Sequence, residues 1–330
     1  MKALPPFPPL FKERFDGLPL SSDGDAASEE FITRAHELAV SWLPADVRTR
    51  LETFLHDSSG PSVLVVRGLP VDSDPPPTPY AVGNMSAKPG KVMSEAWVLA
   101  VARLIGQPVT YQTLVKRGMA GGLVCDLTPN PNSIDKVAFD GCKKVLDLHR
   151  DFAVTSEKIV ADALLLIGVR GDPRKEAQTT VCDFRALLAA TSPSDVSILR
   201  SEPMRWNFGS AANNSFAVAE KFLITGPDSN PLVNIFEENI LPVGAASLKG
   251  SPQLLEAYAR LKETARQLAV GVWLDAGDLL IVNNSRAAHG RTAYTAVFDG
   301  SDRWVQRVYA KRELVGCPGE PPSRVLRFAS

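Results

Sequence analysis

The sequence predicts a mainly β protein with helical additions, built on a double-stranded β-helix (jelly-roll) core. Three observations carry that expectation. Around eight short segments after residue 108 are rich in β-branched and aromatic residues and are separated by Gly, Pro, Asp and Asn. Helical periodicity is confined to the first hundred residues and to two later interruptions. Strands and helices do not alternate as βαβ units would, and the chain shows no internal repeat.

The elements follow in order. Apolar positions at helical spacing (Phe31, Ala35, Leu38, Ala39, Trp42, then Val47, Leu51, Phe54, Leu55) predict two helices over 28–57, broken near Pro44. Residues 62–68 (SVLVVRG) read as a buried strand, 72–80 (DSDPPPTPY) as a proline-rich loop and 95–105 as another helix. Strands are expected at 145–148, 161–169, 179–184, 216–224, 231–236, 271–273, 279–283 and 305–311. Helices are expected at 184–190 and 252–270; the second has Ser251 as N-cap, Pro252 in its first turn and Leu254, Tyr258, Leu261 and Ala265 on one face. One domain over 1–330 results. It has a helical N-terminal part with a first strand (1–107), a jelly-roll core (108–315) with a helical insertion at 251–270, and a tail at 316–330.

Composition narrows the function. Lys+Arg 36 against Asp+Glu 37 gives a net charge of -1, which excludes a strong electrostatic case for nucleic acid or an anionic membrane. The N-terminus MKALPPFPPL has no apolar run of signal-peptide length, and the densest apolar stretches are too short to span a bilayer. The four cysteines have no CxxC spacing, so neither a zinc ribbon nor a disulfide scaffold is expected. A cytoplasmic enzyme or binding protein acting on a small molecule remains.

Only four histidines are available to a metal site. His36 and His56 fall on the charged faces of the N-terminal helices and read as solvated surface. His149 ends a strand in LDLHRDF, two residues before Asp151; an i, i+2 pair on a strand shares a face, so imidazole and carboxylate can bind one cation. Further on, Gly277-Asp278 forms a turn that launches the strand 279–282, and a polar loop then delivers His289, followed by Gly290-Arg291. Two His and one carboxylate on an all-β scaffold make the facial triad that leaves open positions on non-haem Fe(II).

This order is His-x-Asp, about 140 residues, then Gly-Asp, a strand, and Asn-x-x-x-x-His-Gly-Arg. It resembles the clavaminate synthase-like branch of the Fe(II)/2-oxoglutarate dioxygenases, within the taurine dioxygenase-like superfamily. The resemblance spans roughly residues 60–315. It implies that His149, Asp151 and His289 hold Fe(II), and that Arg303, fourteen residues past the second His, binds the distal carboxylate of 2-oxoglutarate. It also implies that Arg307 grips the substrate α-carboxylate, as in the members acting on amino acids. Thr180 is the better match to a threonine near the co-substrate, with Thr179 the alternative. Gln112 stands in for a glutamine that holds the substrate amine, and Glu237 and Glu238 match acids that contact basic substrate tips. Independently of the resemblance, guanidinium forks at i and i+4 on a strand suit bidentate carboxylate binding.

The expected reaction consumes O2 and 2-oxoglutarate, releases succinate and CO2, and hydroxylates C3 or C4 of an amino acid or amino-acid-derived intermediate of specialised metabolism, including antibiotic biosynthesis. The substrate is free or tethered to a carrier protein. Two rival readings stand beside this one: desaturation or ring formation with the same iron and co-substrate, and a metal-free jelly-roll binding protein.

Overall fold

The computed structural model describes residues 29–80, 93–112, 122–153, 155–210, 215–236, 247–316 and 321–326. Helices α1 (Glu29–Trp42) and α2 (Ala45–Thr53) break at Pro44, as the periodicity predicts. Strand β1 (Val63–Val66) follows, then α3 (Met93–Ile105), which is buried almost all round because it lies between α1 and the main sheet. Trp42 and Trp97 meet there with ring centroids 5.0 Å apart. The expectation for His56 agrees with its exposure, but His36 is half-buried, and burial followed by the nearby Arg103 lowers its pKa.

Two sheets form the core. The larger runs β1–β13–β5–β15–β2–β16, with β3 also pairing β15; its further strands are β2 (Gln107–Tyr111), β3 (Cys125–Leu127), β5 (Ala163–Arg170), β13 (Leu279–Asn283), β15 (Trp304–Lys311) and β16 (Val325–Leu326). The smaller runs β12–β6–β14–β4, from β4 (Leu146–His149), β6 (Thr179–Asp183), β12 (Val270–Val272) and β14 (Ala287–Arg291). Alternation along the strands sorts side chains into three layers. Leu165, Ile167, Leu279, Ile281 and Val308 face α1–α3; Leu164, Leu166, Leu280, Val282 and Val305 face inward and meet Val181 and Ala287 of the smaller sheet. On the far side, Leu148, Cys182 and Ala288 pack under α4 (Phe184–Ala190), α5 (Pro193–Ser201) and α6 (Pro252–Leu268).

Helix α6 starts as its sequence predicts: Ser251 Oγ accepts the Leu254 N–H at 3.1 Å and Pro252 sits in the first turn. It stops two residues short of the expected end, because Val270 pairs with Val181 in β12. Other differences concern weak signals. Helix α5 and strand β7 (Pro203–Ser210), which pairs with β8 (Ser215–Phe222) and β11 (Ser247–Lys249), go beyond the expected elements, whereas of 231–236 only Leu232–Val233 forms a strand, β10, paired with β9 (Ile224–Thr225). The largest correction is β14. The segment expected to be a polar loop before His289 is a central strand bonded to both β6 and β4, hidden in the sequence because Ala287, Ala288 and Gly290 lack β-branched character.

Two glycines are dictated by geometry. Gly277 adopts φ 79 and lies so close to the Leu69 carbonyl that a Cβ would fall 2.1 Å from it. At Gly290 a Cβ would lie 2.6 Å from the Leu146 carbonyl oxygen and 2.9 Å from Thr180 Oγ1. Gly290→Ala must therefore push β14 away from β4 and β6. A loss of about 1–3 kcal/mol is expected, as for other overpacked sites, measured as a lower urea midpoint at unchanged m-value.

Candidate active site

The three predicted ligand residues converge in the space between the sheets. One ligand atom from each of His149, Asp151 and His289 lies within 4.8 Å of the others. His149 and His289 are direct cross-strand partners at the β4–β14 join, with ring centroids 4.4 Å apart. His149 Nε2 is 3.3 Å from Asp151 Oδ1, and His289 Nε2 is 3.6 Å from Asp151 Oδ2. The route to this pairing differs from the strand argument: β4 ends at His149, and Asp151 lies in the turn that follows. His149 Nδ1 donates to the Asp147 carbonyl at 2.9 Å, which turns Nε2 toward the carboxylate.

That turn is held from several sides. The Asp151 N–H donates to Asn284 Oδ1 at 3.0 Å, and Asn284 Nδ2 donates back to the Asp151 carbonyl at 3.1 Å and to Ala161 at 3.0 Å. Tyr309 donates its hydroxyl to Asp151 Oδ2 at 2.7 Å. Phe152 adopts φ 56, uncommon for a bulky residue, and stacks on Tyr111 at 3.7 Å between centroids. Between the two predicted ligands, Arg150 points the other way. Its buried guanidinium donates to Asn234 Oδ1, to the Asn284 carbonyl and, through both terminal nitrogens, to Glu157. Asn284 belongs to the Asn-x-x-x-x-His motif, but nothing in the sequence announces its grip on a turn 133 residues earlier. Tyr309 was readable as an inward neighbour of Arg307 two positions along β15.

Electrostatics agree with ligand duty. Burial, followed by the adjacent His149, pushes the His289 imidazole down to about 3. Burial alone would raise the Asp151 carboxyl; His289, His149 and Arg307 outweigh it and hold the group below the usual carboxylate range.

Two further cations are buried in the interior, and one of them, Arg307, stands beside this cluster. Arg307 projects inward from β15 and Arg303 immediately precedes the strand; both are buried, and neither forms an ion pair among the described residues. Arg307 lies over the Tyr309 ring at 4.6 Å, and its Nε has no hydrogen-bond partner among those residues. Arg291 contrasts with them. It donates to the carbonyls of Gly141, Lys144 and Thr292, and so ties down the 139–144 loop.

The other sequence-predicted contacts fare differently. Thr180 is a correction: it pairs with Gly290 and so takes the face of β6 opposite His289, which pairs with Val181. Thr179 shares the His289 face and is buried, so the alternative residue is the one turned toward the site. Gln112 follows Tyr111 directly and is half-buried, with no hydrogen bond to the triad or to Arg307 among the described residues. Glu237 and Glu238 lie outside the described residues.

A jelly roll carrying two imidazoles and a carboxylate on one face of its cavity defines the class of non-haem iron oxygenases. The donor set fits the metal: two imidazole nitrogens and one carboxylate oxygen converge, with one histidine's outer nitrogen fixed by a carbonyl. Residues 45–309 match the family described as taurine catabolism dioxygenase TauD, TfdA family, and the chain belongs to that family. It is accordingly an Fe(II)/2-oxoglutarate-dependent dioxygenase that uses O2. It is 28% identical to the L-asparagine oxygenase of Streptomyces coelicolor over 90% of this chain and 85% of that one. It is also 28% identical to clavaminate synthase 2 of Streptomyces clavuligerus, over 87% and 85%. A solved structure of asparagine oxygenase with Fe(II), 2S,3S-3-hydroxyasparagine and succinate superposes with a TM-score of 0.77 at 25% identity, covering 98% of both chains. No helix among the described residues is long and apolar enough to cross a membrane.

The Arg150–Glu157 pair gives a pH test of the ligand turn. Partial burial raises the Glu157 pKa, but Arg150 and Lys221 outweigh it and bring the group from 4.5 to about 2. A depressed carboxylate stabilises the fold above about pH 4.5 and loses that contribution as pH falls toward 2. Because Glu157 is 47% exposed, solvent screens part of the effect. Glu157→Gln should flatten this stretch of the acid-unfolding curve and leave the urea midpoint at pH 7 lower than wild type. Superimposable pH profiles would show that the pair does not stabilise the turn.

Proposed function

We propose that this enzyme hydroxylates an unactivated C–H bond, at C3 or C4, of a free amino acid or a close derivative, coupled to conversion of 2-oxoglutarate to succinate and CO2. One observation carries the reading: two buried guanidiniums, Arg303 and Arg307, have no carboxylate within ion-pair distance among the described residues, and Arg307 lies beside the His–Asp–His cluster. An unpaired buried cation is costly, so the cavity is built to receive anionic ligands, and planar forks suit carboxylates. A second support is the similarity to an asparagine oxygenase along nearly the whole chain.

In this reading His149, Asp151 and His289 hold the iron, which supplies the oxidising chemistry when loaded with 2-oxoglutarate and O2. Arg303 pairs with the far carboxylate of 2-oxoglutarate and so fixes the orientation of that molecule. Arg307 grips the α-carboxylate of the substrate and sets which carbon faces the metal. The apolar walls contributed by Leu164, Leu166, Val181 and Leu280 limit the water that reaches the reacting carbon. Arg307 also separates free from carrier-tethered substrates: a carrier thioester has no free α-carboxylate, and a lone buried guanidinium favours the free acid.

The test is succinate formation and product mass over a panel of free amino acids and their carrier-bound thioesters, with and without Fe(II). Iron-dependent succinate with a product one oxygen heavier supports hydroxylation; a product two hydrogens lighter marks desaturation or ring closure. Alanine at His149, Asp151 or His289 should abolish turnover, whereas His56→Ala should leave it unchanged. The two arginines should fail differently. A charge-assisted bidentate contact contributes on the order of 2–4 kcal/mol, or roughly 30- to 1,000-fold in affinity. Arg303→Ala should weaken 2-oxoglutarate by that order. Arg307→Ala should weaken the amino acid and let 2-oxoglutarate be consumed without product. Neither should be fully rescued by Lys, whose ammonium lacks the planar fork. Tight coupling in Arg307→Ala would refute its role at the substrate.

A further inference from the structure

Tyr309 lies at the point where the carboxylate, the aromatic wall and Arg307 meet. Its hydroxyl donates to Asp151 Oδ2 at 2.7 Å, and that oxygen also lies 3.6 Å from His289 Nε2. The other oxygen, Oδ1, lies 3.3 Å from His149 Nε2. The tyrosine ring has little freedom to leave: Tyr111 meets it edge-on at 5.3 Å, Phe152 at 5.7 Å, and the Arg307 guanidinium covers it at 4.6 Å. The Asp151 backbone is fixed at both its N–H and its carbonyl by Asn284. With main chain and tyrosine both pinned, the remaining freedom of Asp151 is which oxygen it offers to a cation.

We propose that Tyr309 is a positioning residue that keeps Asp151 a one-oxygen ligand by occupying Oδ2. The inference rests on the metal-site reading above. Its chemical consequence is a matter of counting. An octahedral cation has six positions; two imidazoles and one carboxylate oxygen fill three, leaving three for a chelating 2-oxo acid and O2. A carboxylate engaged through both oxygens would take a fourth and leave the co-substrates one short. A hydrogen bond from a neutral donor lowers the basicity of Oδ2 and so disfavours that second bond. Since Arg307 rests on the same ring, a side chain on β15 links the carboxylate ligand to the guanidinium proposed to hold the substrate.

The experiment uses Tyr309→Phe, which keeps the ring and its packing and removes only the hydroxyl. Co(II) is titrated into the metal-free protein by calorimetry, followed by 2-oxoglutarate into the Co(II) form, with the visible Co(II) spectrum recorded at each step. The freed oxygen should tighten Co(II) by roughly ten- to a hundredfold and weaken 2-oxoglutarate by a similar factor, the span of one hydrogen bond to a charged group. Asp151→Asn provides the control, because an amide has only one oxygen to offer. In that background removing the Tyr309 hydroxyl should no longer tighten Co(II), a non-additivity that a purely structural tyrosine would not produce. If Tyr309→Phe proves unstable, Tyr309→Leu in both backgrounds repeats the comparison, with the same loss of coupling expected. Unchanged Co(II) and 2-oxoglutarate affinities in Tyr309→Phe, or equal changes in the Asp and Asn backgrounds, would overturn the proposal. Failure of the wild type to bind Co(II) through His149 would overturn the metal-site reading itself.

Discussion

A carboxylate between two imidazoles is the interaction on which the rest of this structure depends. Asp151 sits in a gap where burial opposes its charge, yet it stays ionised because His149, His289 and Arg307 surround it. A buried anion of this kind is tolerated only if its geometry is enforced. Asn284 enforces the backbone, Tyr309 one oxygen, and the β4–β14 pairing sets the two histidines opposite each other. Each restraint comes from a different part of the chain, so the site exists only once both sheets have closed.

The layers explain why such a site can be dry and still open to ligands. The outer faces of both sheets are covered by helices, α1–α3 on one side and α4–α6 on the other. The inner faces keep an apolar lining interrupted by charged groups at a few positions only. Arginine is used in two ways within this frame. Arg150, Arg286 and Arg291 spend their donors on carbonyls and carboxylates of the chain and act as internal fasteners. Arg303 and Arg307 form no such bonds to carboxylates among the described residues, and this difference, more than burial, underlies the proposal that they face ligands.

Much of this was legible in the sequence, for physical reasons that can be named. The helix break at Pro44, the Ser251 cap, the Gly277 turn and the apolar strands β5 and β13 carry strong local signals, and they fall where expected. His149, Asp151 and His289 stand out by their spacing and Arg303 and Arg307 through the family resemblance; the fold gathers the first three into one cluster and buries both arginines. What spacing could not give is facing. Thr180 and Thr179 are adjacent and chemically identical; only the register of β6 against β14 puts one of them inside. Strand β14 itself was hidden by its alanines and glycine. Its strand character comes from neighbours on both sides, which local propensity does not encode. The hold on Asp151 by Asn284 and Tyr309 spans more than 130 residues of chain and has no local signature.

Arg286 shows how far the N-terminal layer is tied to the chemistry. It sits in the turn between β13 and β14, three residues before His289, and donates to the carbonyls of Phe54, Asp57 and Gly60 beyond the end of α2. The helical segment is thus moored to the ligand-bearing strand and does not merely rest on the outside of the barrel. For anyone recombining this enzyme with its relatives, the natural seam does not lie between the helices and the first strand. A graft that imports a foreign helical layer has to bring compatible carbonyls for Arg286, or the turn that aims His289 loses its anchor. Inheritance of the two pieces is therefore expected to be joint.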